Sequence, residues 1–421
     1  MHRRDISKLL LAGSVGASAI PQLAQAQTCT APCYARTPAE ITAGVTPVDT
    51  SREPGDVRRY GAIGDGNASH TAVNTTAFAS ARAVAAATAP APLRIFFPAG
   101  IYYYSASPNW AMDNITLEAV GLVQLNFTGT GNAWIFDAGA NNLYNGRMIG
   151  NFTISGTSAT TNGLYIVGMH QSRFEARVGN LTQAGCDINF CVSTSFRIQT
   201  TYDINPTRSY PASAIPSRGL YIKGRNAGEY TAWCQFHETV AEGVSNFGID
   251  ILYASGCSFF GGVVEDCGGG IRVDSTNYCQ NNSFYSIDME ANRIYDVVLY
   301  GHHNRLVGCT AFSNAQNNNL EIGTGATGTQ IIGGFYTQGD LQAGSNLSLF
   351  LNVSFANAGP GLMGPGTYRM TGCYLVDANG TYVSTMPDII GGAVQMLYLP
   401  TSPTGLHTGS LWNSGGFVKV V

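Results

Sequence analysis

The sequence predicts an all-β fold, a right-handed single-stranded parallel β-helix with a short N-terminal capping α-helix. A strand-like pattern recurs about every 22 to 26 residues, with no helical periodicity between its copies. Charged residues make up only 11% of the 421 residues, well below the roughly 25% of an average soluble domain. Glycine occurs 51 times. This composition suits stacked strands and tight turns better than long solvated helices.

Each copy of the pattern alternates apolar with variable residues, as a strand with one buried face does. The copies are GLYIVG at Gly163, CDINF at Cys186, GLYIKG at Gly219, GIDILY at Gly248, GIRVDS at Gly270, DVVLYG at Asp296 and NLEIGT at Asn319. Apolar pairs such as Leu164 and Ile166 are expected to point inward. The residues between the pairs are expected to form an outward column: Tyr165, Asp187, Tyr221, Asp250, Arg272, Val298 and Glu321.

A second strand is expected to follow in each repeat. Its large apolar residues, Phe236, Phe259, Phe284 and Leu306, recur at spacings of 23, 25 and 22 residues and predict a stacked row inside the coils. A coil of this length cannot hold a helix plus strands, which disfavours leucine-rich repeats and βαβ units. A β-sandwich would not repeat side-chain types at a fixed period.

The chain divides into four predicted segments. Residues 1–26 resemble a twin-arginine-like export signal, so the protein is expected to be exported to the periplasm or the cell exterior. Residues 27–54 are interpreted as a linker, 55–385 as the β-helix domain and 386–421 as a terminal segment. The Ala-rich stretch 74–87 predicts the capping helix, with Asn or Thr as its N-cap. The proline-containing stretch 203–217 predicts a loop that projects from one coil.

Charge and cysteine usage restrict the partners. The net charge is -4 and only three lysines occur, which argues against nucleic-acid binding. No segment beyond the export signal has the run of about 20 apolar residues that a membrane span needs. Cys29 and Cys33 are candidates for a disulfide in an oxidising compartment. The other eight cysteines are expected to act as small buried apolar residues.

The stretch VRRYGAIGDG, followed by PAGIY, resembles the opening motif of the pectate-lyase-like β-helix superfamily of rhamnogalacturonases, epimerase-like proteins and phage tailspikes. The matching residues are Val57, Tyr60, Gly61, Ala62, Gly64, Asp65, Gly66, Pro98, Gly100 and Tyr102. The family's Asp-Asp-Thr step reads Val73-Asn74-Thr75 here, where Asn74 is expected to cap the helix as Asp does. The resemblance covers most of 55–385 and implies a β-helix that acts on carbohydrate. Its tailspike members imply a homotrimer.

The same resemblance does not imply a reaction. The Asn-Thr-Asp, Asp-Asp, Gly-His-Gly and Arg-Ile-Lys motifs of polygalacturonases have no counterpart, and neither do the paired arginines of calcium-dependent pectate lyases. The ending 399–421 resembles a short ending common on phage particle and tail-associated proteins, and predicts a packing or attachment segment.

Three glutamates fall six residues after the predicted phenylalanine row: Glu242, Glu265 and Glu290. Because neighbouring strands lie about 4.8 Å apart, these residues are expected to form a ladder with backbones about 5 Å apart. Like charges at this spacing raise the pKa of at least one member. Asp288 is expected on the same strand face as Glu290. Asp266 is expected to point to the other face or into the turn.

Such a ladder suits glycoside hydrolysis, in which one carboxylic acid protonates the leaving oxygen and a second carboxylate acts as nucleophile or base. Glu242, Glu265, Glu290 and Asp288 are therefore the candidate catalytic residues. The same acids could instead hold a cation such as calcium, or be solvated turn residues. No metal site follows from the Cys and His spacing.

Aromatic residues and one arginine are the candidate substrate-binding groups. Tyr165, Tyr221, Trp233 and Tyr285 would stack on sugar rings, and cross-strand aromatic packing is the alternative for each. Arg272 is the remaining candidate, and an ion pair with its neighbour in the outward column is the alternative. His237, His302 and His303 are interpreted as ordinary surface or turn histidines.

The leading functional hypothesis is an exported polysaccharide hydrolase that needs no cofactor. The second is a lyase that performs β-elimination on a uronic-acid polymer, with Lys223 or Arg225 as its base and calcium as its cation. The third is a glycan-binding module without catalysis, of the adhesin or tailspike kind.

Overall fold

A computed structural model describes most of the chain. The described residues are 33–88, 94–201, 216–226, 228–275, 278–312, 320–336, 339–341, 345, 347–355, 368–376, 382–385, 389–390, 393–394, 411–414 and 417–420. Within these ranges no helix is long and apolar enough to cross a membrane. The predicted export signal, Cys29, nearly all of the loop at 203–217 and much of the terminal segment lie outside the described residues.

Short helical segments precede a long series of strands. The α-helices are α1 (Pro38–Thr42) and α2 (Thr71–Ala87), and 3-10 turns span Val57–Tyr60 and Ala68–His70. The strands of the first coils are β1 (Arg94–Tyr104), β2 (Thr116–Phe127), β3 (Trp134–Asp137), β4 (Leu143–Tyr144), β5 (Arg147–Ser155), β6 (Asn162–Val167), β7 (Met169–His170), β8 (Arg173–Gly179), β9 (Ala184–Asn189), β10 (Ser195–Thr201) and β11 (Arg218–Lys223). Those of the middle coils are β12 (Thr231–Ala232), β13 (Gln235–Glu242), β14 (Phe247–Ile251), β15 (Ala254–Ser255), β16 (Ser258–Glu265), β17 (Gly269–Val273), β18 (Ser283–Glu290), β19 (Tyr295–Leu299), β20 (Arg305–Val307), β21 (Thr310–Phe312) and β22 (Leu320–Ile322). The last are β23 (Gln330–Ile332), β24 (Phe335–Tyr336), β25 (Gly339–Leu341), β26 (Ser348–Leu351), β27 (Ser354–Phe355), β28 (Tyr368–Thr371), β29 (Tyr374–Val376), β30 (Tyr382–Thr385), β31 (Ile389–Ile390), β32 (Ala393–Val394), β33 (Leu411–Ser414) and β34 (Phe417–Val420).

One face of the solenoid is a sheet of nine described strands in the order β25, β22, β19, β17, β14, β11, β9, β6, β3. All its neighbouring strands are parallel, and each belongs to the next coil. The predicted inward pairs are buried, as Leu164 and Ile166 illustrate. The predicted column is in register, since the pairing joins Tyr165 to Asp187 and Tyr221 to Asp250. It is not exposed throughout, because Asp187, Asp250, Val298 and Glu321 are buried. The fold class is therefore confirmed.

A second sheet, which we call the kinked sheet, contains nineteen described strands. Neighbouring strands pair in parallel in the order β1, β2, β5, β8, β10, β13, β16 and β18, and further strands of the later coils follow. Its inner face carries the predicted row of stacked rings. Phe236 lies 4.4 Å from Phe259, and Phe259 lies 4.6 Å from Phe284, measured between ring centroids, with nearly parallel planes. The row extends back to Phe196, at 4.9 Å from Phe236. All four rings are fully buried.

A left-handed residue bends three successive long strands of the kinked sheet, β13, β16 and β18, near their middles. In successive coils this residue is Glu238, Gly261 and Ser286, with φ between 48° and 64°. The strand before each bend and the strand after it therefore face different directions. Glycine adopts this conformation freely, but Glu and Ser do not, so at Glu238 and Ser286 the bend is fixed by the stacking of neighbouring coils rather than by local preference.

The N-terminal end is closed by α2, as predicted, but the helix begins at Thr71 rather than at residue 74. Its Phe78 is fully buried and lies 5.4 Å from Phe97, between ring centroids. The expectation that Asn74 caps the helix was wrong. Asn74 lies inside the helix, where its side chain bonds both backbone groups of Ile63 and donates to the Tyr103 carbonyl. It therefore ties the opening motif to β1.

The matched glycines of the opening motif allow two backbone segments to pass very close together. A Cβ on Gly64 would lie 2.6 Å from the Tyr102 ring, and a Cβ on Gly100 would lie 2.5 Å from the Gly64 carbonyl oxygen. Because real Cβ contacts are never so short, both positions require glycine. The motif is thus a packing device at the end of the solenoid.

The described part of the predicted linker, 33–54, packs against this end. Glu40 in α1 forms a fully buried ion pair with Arg59, at 2.6 Å between Nε and Oε1. Thr37 and Glu40 also form a capping box at the start of α1. Arg59 further donates to the Arg52 carbonyl at 2.8 Å.

The described cysteines other than Cys33 are all buried. Cys234 and Cys257, which precede the phenylalanine row in adjacent coils, have no exposed surface. They therefore fill core space, as predicted.

Candidate functional site

The three ladder glutamates come together as the sequence predicts. In the register of β13, β16 and β18, Glu242 pairs with Glu265, and Glu265 pairs with Glu290. The next strand, β21, places Phe312 beside Glu290 and ends the acid column. The residues before the glutamates, such as Val264 and Met289, are fully buried, whereas the glutamates themselves are half-exposed. Strand alternation therefore presents the three carboxyl groups on one outer face.

A rigid corner follows the ladder. Each glutamate precedes a left-handed residue, namely Gly243, Asp266 or Ala291, where the strand ends. Behind this corner lies Asn292, which is 1% exposed. Its side chain accepts a bond from the Cys267 amide at 3.1 Å and donates to the Val264 carbonyl at 3.0 Å.

These bonds tie the backbone on either side of Glu265 to the corner that follows Glu290. Asp266 itself is exposed in the turn, as one of the two predicted alternatives stated.

The middle glutamate has the perturbed acidity that stacked carboxylates are expected to produce. Burial, followed by the negative charges of Glu242, Asp266, Glu290 and Asp288, raises the pKa of Glu265 to about 7. Both causes disfavour the charged form. Near neutral pH the Glu265 carboxyl group is therefore divided between an acid that can donate a proton and a carboxylate that can accept one.

Asp288 is the fourth acid of the cluster. It lies two residues before Glu290 on the same outer face of β18 and pairs in register with Val263. The Thr310 hydroxyl donates to Asp288 Oδ1 at 2.6 Å. This bond orients the carboxylate from the next coil, so Asp288 is a positioned group rather than a freely rotating one.

The backbone spacings of the ladder fall near both of the carboxyl separations that glycoside hydrolases use. Adjacent ladder members have backbones about 5 Å apart, and Asp288 lies diagonally about 8 Å from Glu265. Retaining enzymes place their carboxyl groups about 5–5.5 Å apart, and inverting enzymes about 6.5–9.5 Å. An acid with a raised pKa beside carboxylates at either distance can perform proton transfer and nucleophilic or base catalysis.

Among the predicted binding residues, Tyr285 lies closest to the ladder in sequence and in the sheet. It occupies the outer face of β18 before the bend and stacks on Phe260 at 5.2 Å, with an interplanar angle of 7°. Phe260 in turn stacks on His237 at 5.3 Å. The three rings form an outer stack whose middle member, Phe260, is 39% exposed. Tyr285 thus makes the cross-strand contact named as the alternative, within a stack that remains open to solvent.

Tyr165, Tyr221 and Arg272 belong to the nine-stranded sheet and are not brought to the ladder. Arg272 forms a two-point ion pair with Asp250, at 2.8 and 2.9 Å, which is the alternative considered for it. The cationic groups of Arg218 and Lys223 lie over the Tyr221 ring, at 4.4 and 4.5 Å from its centroid.

The ion pair of Arg272 and the cations on the Tyr221 ring therefore engage the side-chain groups that would otherwise contact a sugar. Tyr165 is half-buried in the same outward column.

Trp233 lies at a corner before β13 and is 67% exposed. Its φ of 57° is left-handed, an outlier for a bulky residue. It belongs to a column of left-handed corner residues that includes Gly256 and Asn281 in the next coils. Glycine or asparagine suits this position, so a tryptophan there has a conformational cost.

A groove along the bend of the kinked sheet was not predicted from the sequence. Two cavities of about 310 and 320 Å³ lie side by side there and share Glu175 and Arg197. The first cavity also contains Arg177 and Gln199, and the second ends at His237. We call the two together the kink groove.

The sequence around the phenylalanine row contained a signal for the outer aromatic stack beside this groove. Each outer aromatic residue directly follows a row member, as Phe260 follows Phe259.

Metal binding receives no support from the described part of the chain, where no cluster of His, Cys, Asp and Glu is placed to hold an ion. The two candidate bases of a lyase are also occupied. Lys223 forms an ion pair with Asp187 at 3.2 Å. Arg225 bonds the carbonyls of Ala140 and Asn141.

No family model matches the sequence, and no curated protein matches it significantly. Solved structures do match. PfbA, a surface adhesin of Streptococcus pneumoniae, aligns with a TM-score of 0.53 and 9% identity over 87% of this chain and 98% of its own. A tailspike of an Acinetobacter phage aligns with a TM-score of 0.55 and 12% identity over 86% of this chain and 71% of its own. The chain therefore shares its right-handed parallel β-helix fold with these two structures.

Proposed function

We propose that the protein cleaves a polysaccharide by glycoside hydrolysis at the ladder of Glu242, Glu265 and Glu290. The observation that carries the proposal is the in-register column of three acids, at whose centre burial and the neighbouring charges raise the pKa of Glu265 to about 7. A scaffold gains nothing from stacking carboxyl groups that repel one another, whereas hydrolysis requires an acid and a base whose pKa values differ.

In this mechanism Glu265 is the general acid. It donates its proton to the glycosidic oxygen, so the bond to the leaving sugar breaks without forming an alkoxide. With Glu290 or Glu242 as nucleophile, a covalent glycosyl–enzyme forms, and water then releases the sugar while Glu265 takes back a proton. With Asp288 as base, a water molecule attacks directly and the anomeric configuration inverts.

β-Elimination receives less support. Its two candidate bases are engaged elsewhere: Lys223 at the end of β11 pairs with Asp187, and Arg225, two residues after that strand, bonds the backbone carbonyls of residues 140–141. A non-catalytic glycan-binding module is the second candidate function. The exposed stack of His237, Phe260 and Tyr285 favours it, because such a surface suits sugar rings with or without cleavage.

The test is a screen of acidic and neutral polysaccharides with the wild-type protein and with Glu265→Gln and Glu290→Gln. Hydrolysis is followed as new reducing ends, and lyase activity as new ultraviolet absorbance from unsaturated uronate ends. The proposal predicts reducing ends without absorbance in the wild type and a loss of cleavage in both variants. Intact cleavage in both variants would refute it, and binding without cleavage would select the binding module.

Two further expectations also stay proposals. Export is tested by locating the protein in cell fractions, and the homotrimer by sedimentation of the purified chain.

A further inference from the structure

We propose that the kink groove is a binding subsite for an acidic sugar unit of the polysaccharide, with Arg177 as the residue that selects the negative charge. The proposal rests on the proposed function only in taking the ligand to be a glycan that continues to the ladder. It concerns residues that neither the catalytic mechanism nor the sequence motif uses.

Charge pairing distinguishes Arg177 from the other arginines of the groove. Arg173 pairs with Glu175, and Arg197 pairs with Glu238. Arg177 lines the first cavity and is exposed, and no carboxylate in the described part of the chain pairs with it. A guanidinium group offers five donors in a rigid fork that matches a carboxylate or sulfate group. Arg177 is therefore the site at which an anionic ligand gains a partner without displacing one.

The groove around Arg177 supplies neutral polar groups on both sides. In register, Arg177 lies between Thr153 of β5 and Gln199 of β10, and both also line the cavity. A hydroxyl and a side-chain amide beside a guanidinium suit a sugar that carries several hydroxyl groups and one charge.

Glu175 does not neutralise the Arg177 end, because it is engaged by Arg173 and by the Gly150 amide, the latter at 3.2 Å. The ion pairs of the groove thus cancel and leave one net positive charge.

The outer aromatic stack connects this subsite to the ladder. The second cavity ends at His237, which stacks on Phe260, and Phe260 stacks on Tyr285. The strands run β8, β10, β13 and β16 from Arg177 to Glu265. Three inter-strand steps correspond to about 14 Å, which several linked sugars would span. Ring faces along this path offer sugars a stacking surface, so an extended chain would lie across the coils.

The experiment measures binding by calorimetry in the Glu265→Gln background, so that cleavage does not consume the ligand. The probes are oligosaccharides of equal length: a galacturonate, a mannuronate, a sulfated carrageenan fragment and a neutral cello-oligosaccharide. We expect at least one acidic probe to bind and the neutral probe to bind more weakly. Adding Arg177→Gln should weaken acidic binding about tenfold or more, because a charge-assisted bond is lost. Comparing the uronate probes with the sulfated probe identifies whether the subsite binds a carboxylate or a sulfate group.

Three comparisons make the result specific. Arg305→Gln, an exposed arginine on the same sheet outside the groove, should leave affinity unchanged. Phe260→Ala should weaken all probes that bind, irrespective of charge. Added salt should reduce acidic binding less in Arg177→Gln than in its parent, since the screened charge is gone. Equal affinity of the parent and Arg177→Gln, or no binding by any probe, would overturn the proposal.

The outcome is separable from that of the proposed function. Cleavage that survives Glu265→Gln, combined with binding lost in Arg177→Gln, would refute the hydrolytic ladder and leave the subsite standing. Loss of cleavage in Glu265→Gln with unaltered binding in Arg177→Gln would do the reverse.

Discussion

Replacing Glu265 by Gln should make the protein more stable at neutral pH. The pKa of Glu265 is raised from 4.5 to about 7 in the folded chain. Between these values the folded state keeps a proton that the unfolded state has lost, so wild-type stability falls as pH rises and levels off above 7. At about 1.4 kcal/mol per pKa unit, the full shift corresponds to about 3 kcal/mol. Because Glu265 is only half-buried, solvent screening reduces this to about 1–2 kcal/mol.

The assay is urea denaturation of the wild type and Glu265→Gln at pH 4.5, 6 and 8, analysed as the difference in free energy of unfolding. The difference should grow from near zero at the lowest pH to about 1–2 kcal/mol in favour of the variant at the highest. Glu53→Gln, at an exposed position outside the ladder, removes the same charge and should give a curve parallel to the wild type. A difference that does not change with pH would refute the reasoning, because the pKa of Glu265 would then not be raised in the folded chain.

Three further variants test other parts of the structure. Glu40→Ala should lower the free energy of unfolding by about 3–5 kcal/mol, because the guanidinium of Arg59 is left buried and unpaired. A double variant with Arg59→Met should recover part of this loss, and no recovery would contradict a charge effect. Asn292→Ala should cost about 2–3 kcal/mol in urea denaturation through its lost hydrogen bonds, and it should also slow cleavage. A loss below 1 kcal/mol would show that the corner does not depend on it. Trp233→Gly should raise the melting temperature by relieving about 1 kcal/mol of left-handed strain, and a lower melting temperature would show that the exposed ring stabilises the coil.

The β-helix and the acid ladder could be predicted from the sequence because coils stack in register. A parallel sheet between identical coils places position n of one coil beside position n of the next, so the spacing of Phe236, Phe259 and Phe284 fixes the neighbours of every residue nearby. The pairing of Glu242, Glu265 and Glu290 follows from that spacing. The raised pKa of Glu265 comes first from burial and then from the like charges beside it, and only the second cause follows from the spacing.

Features that depend on how a coil bends could not be predicted in this way. Glu238 and Ser286 adopt left-handed conformations that their side chains do not favour, so no local signal marks the bend or the groove along it. The contact partners of individual side chains could not be predicted from the sequence either. Lys223 contacts the Tyr221 ring on its own strand. Asn74, which was expected to cap a helix, instead bonds Ile63 and Tyr103, a residue far away in the sequence.

The pH dependence of polysaccharide cleavage tests the central claim most directly. If Glu265 is the general acid, kcat/KM for a substrate found in the screen falls as pH rises through about 7, because the donated proton is lost. Glu265→Gln should abolish this cleavage at every pH. Cleavage that continues undiminished well above pH 7 in the wild type, or that survives in Glu265→Gln, would contradict the account.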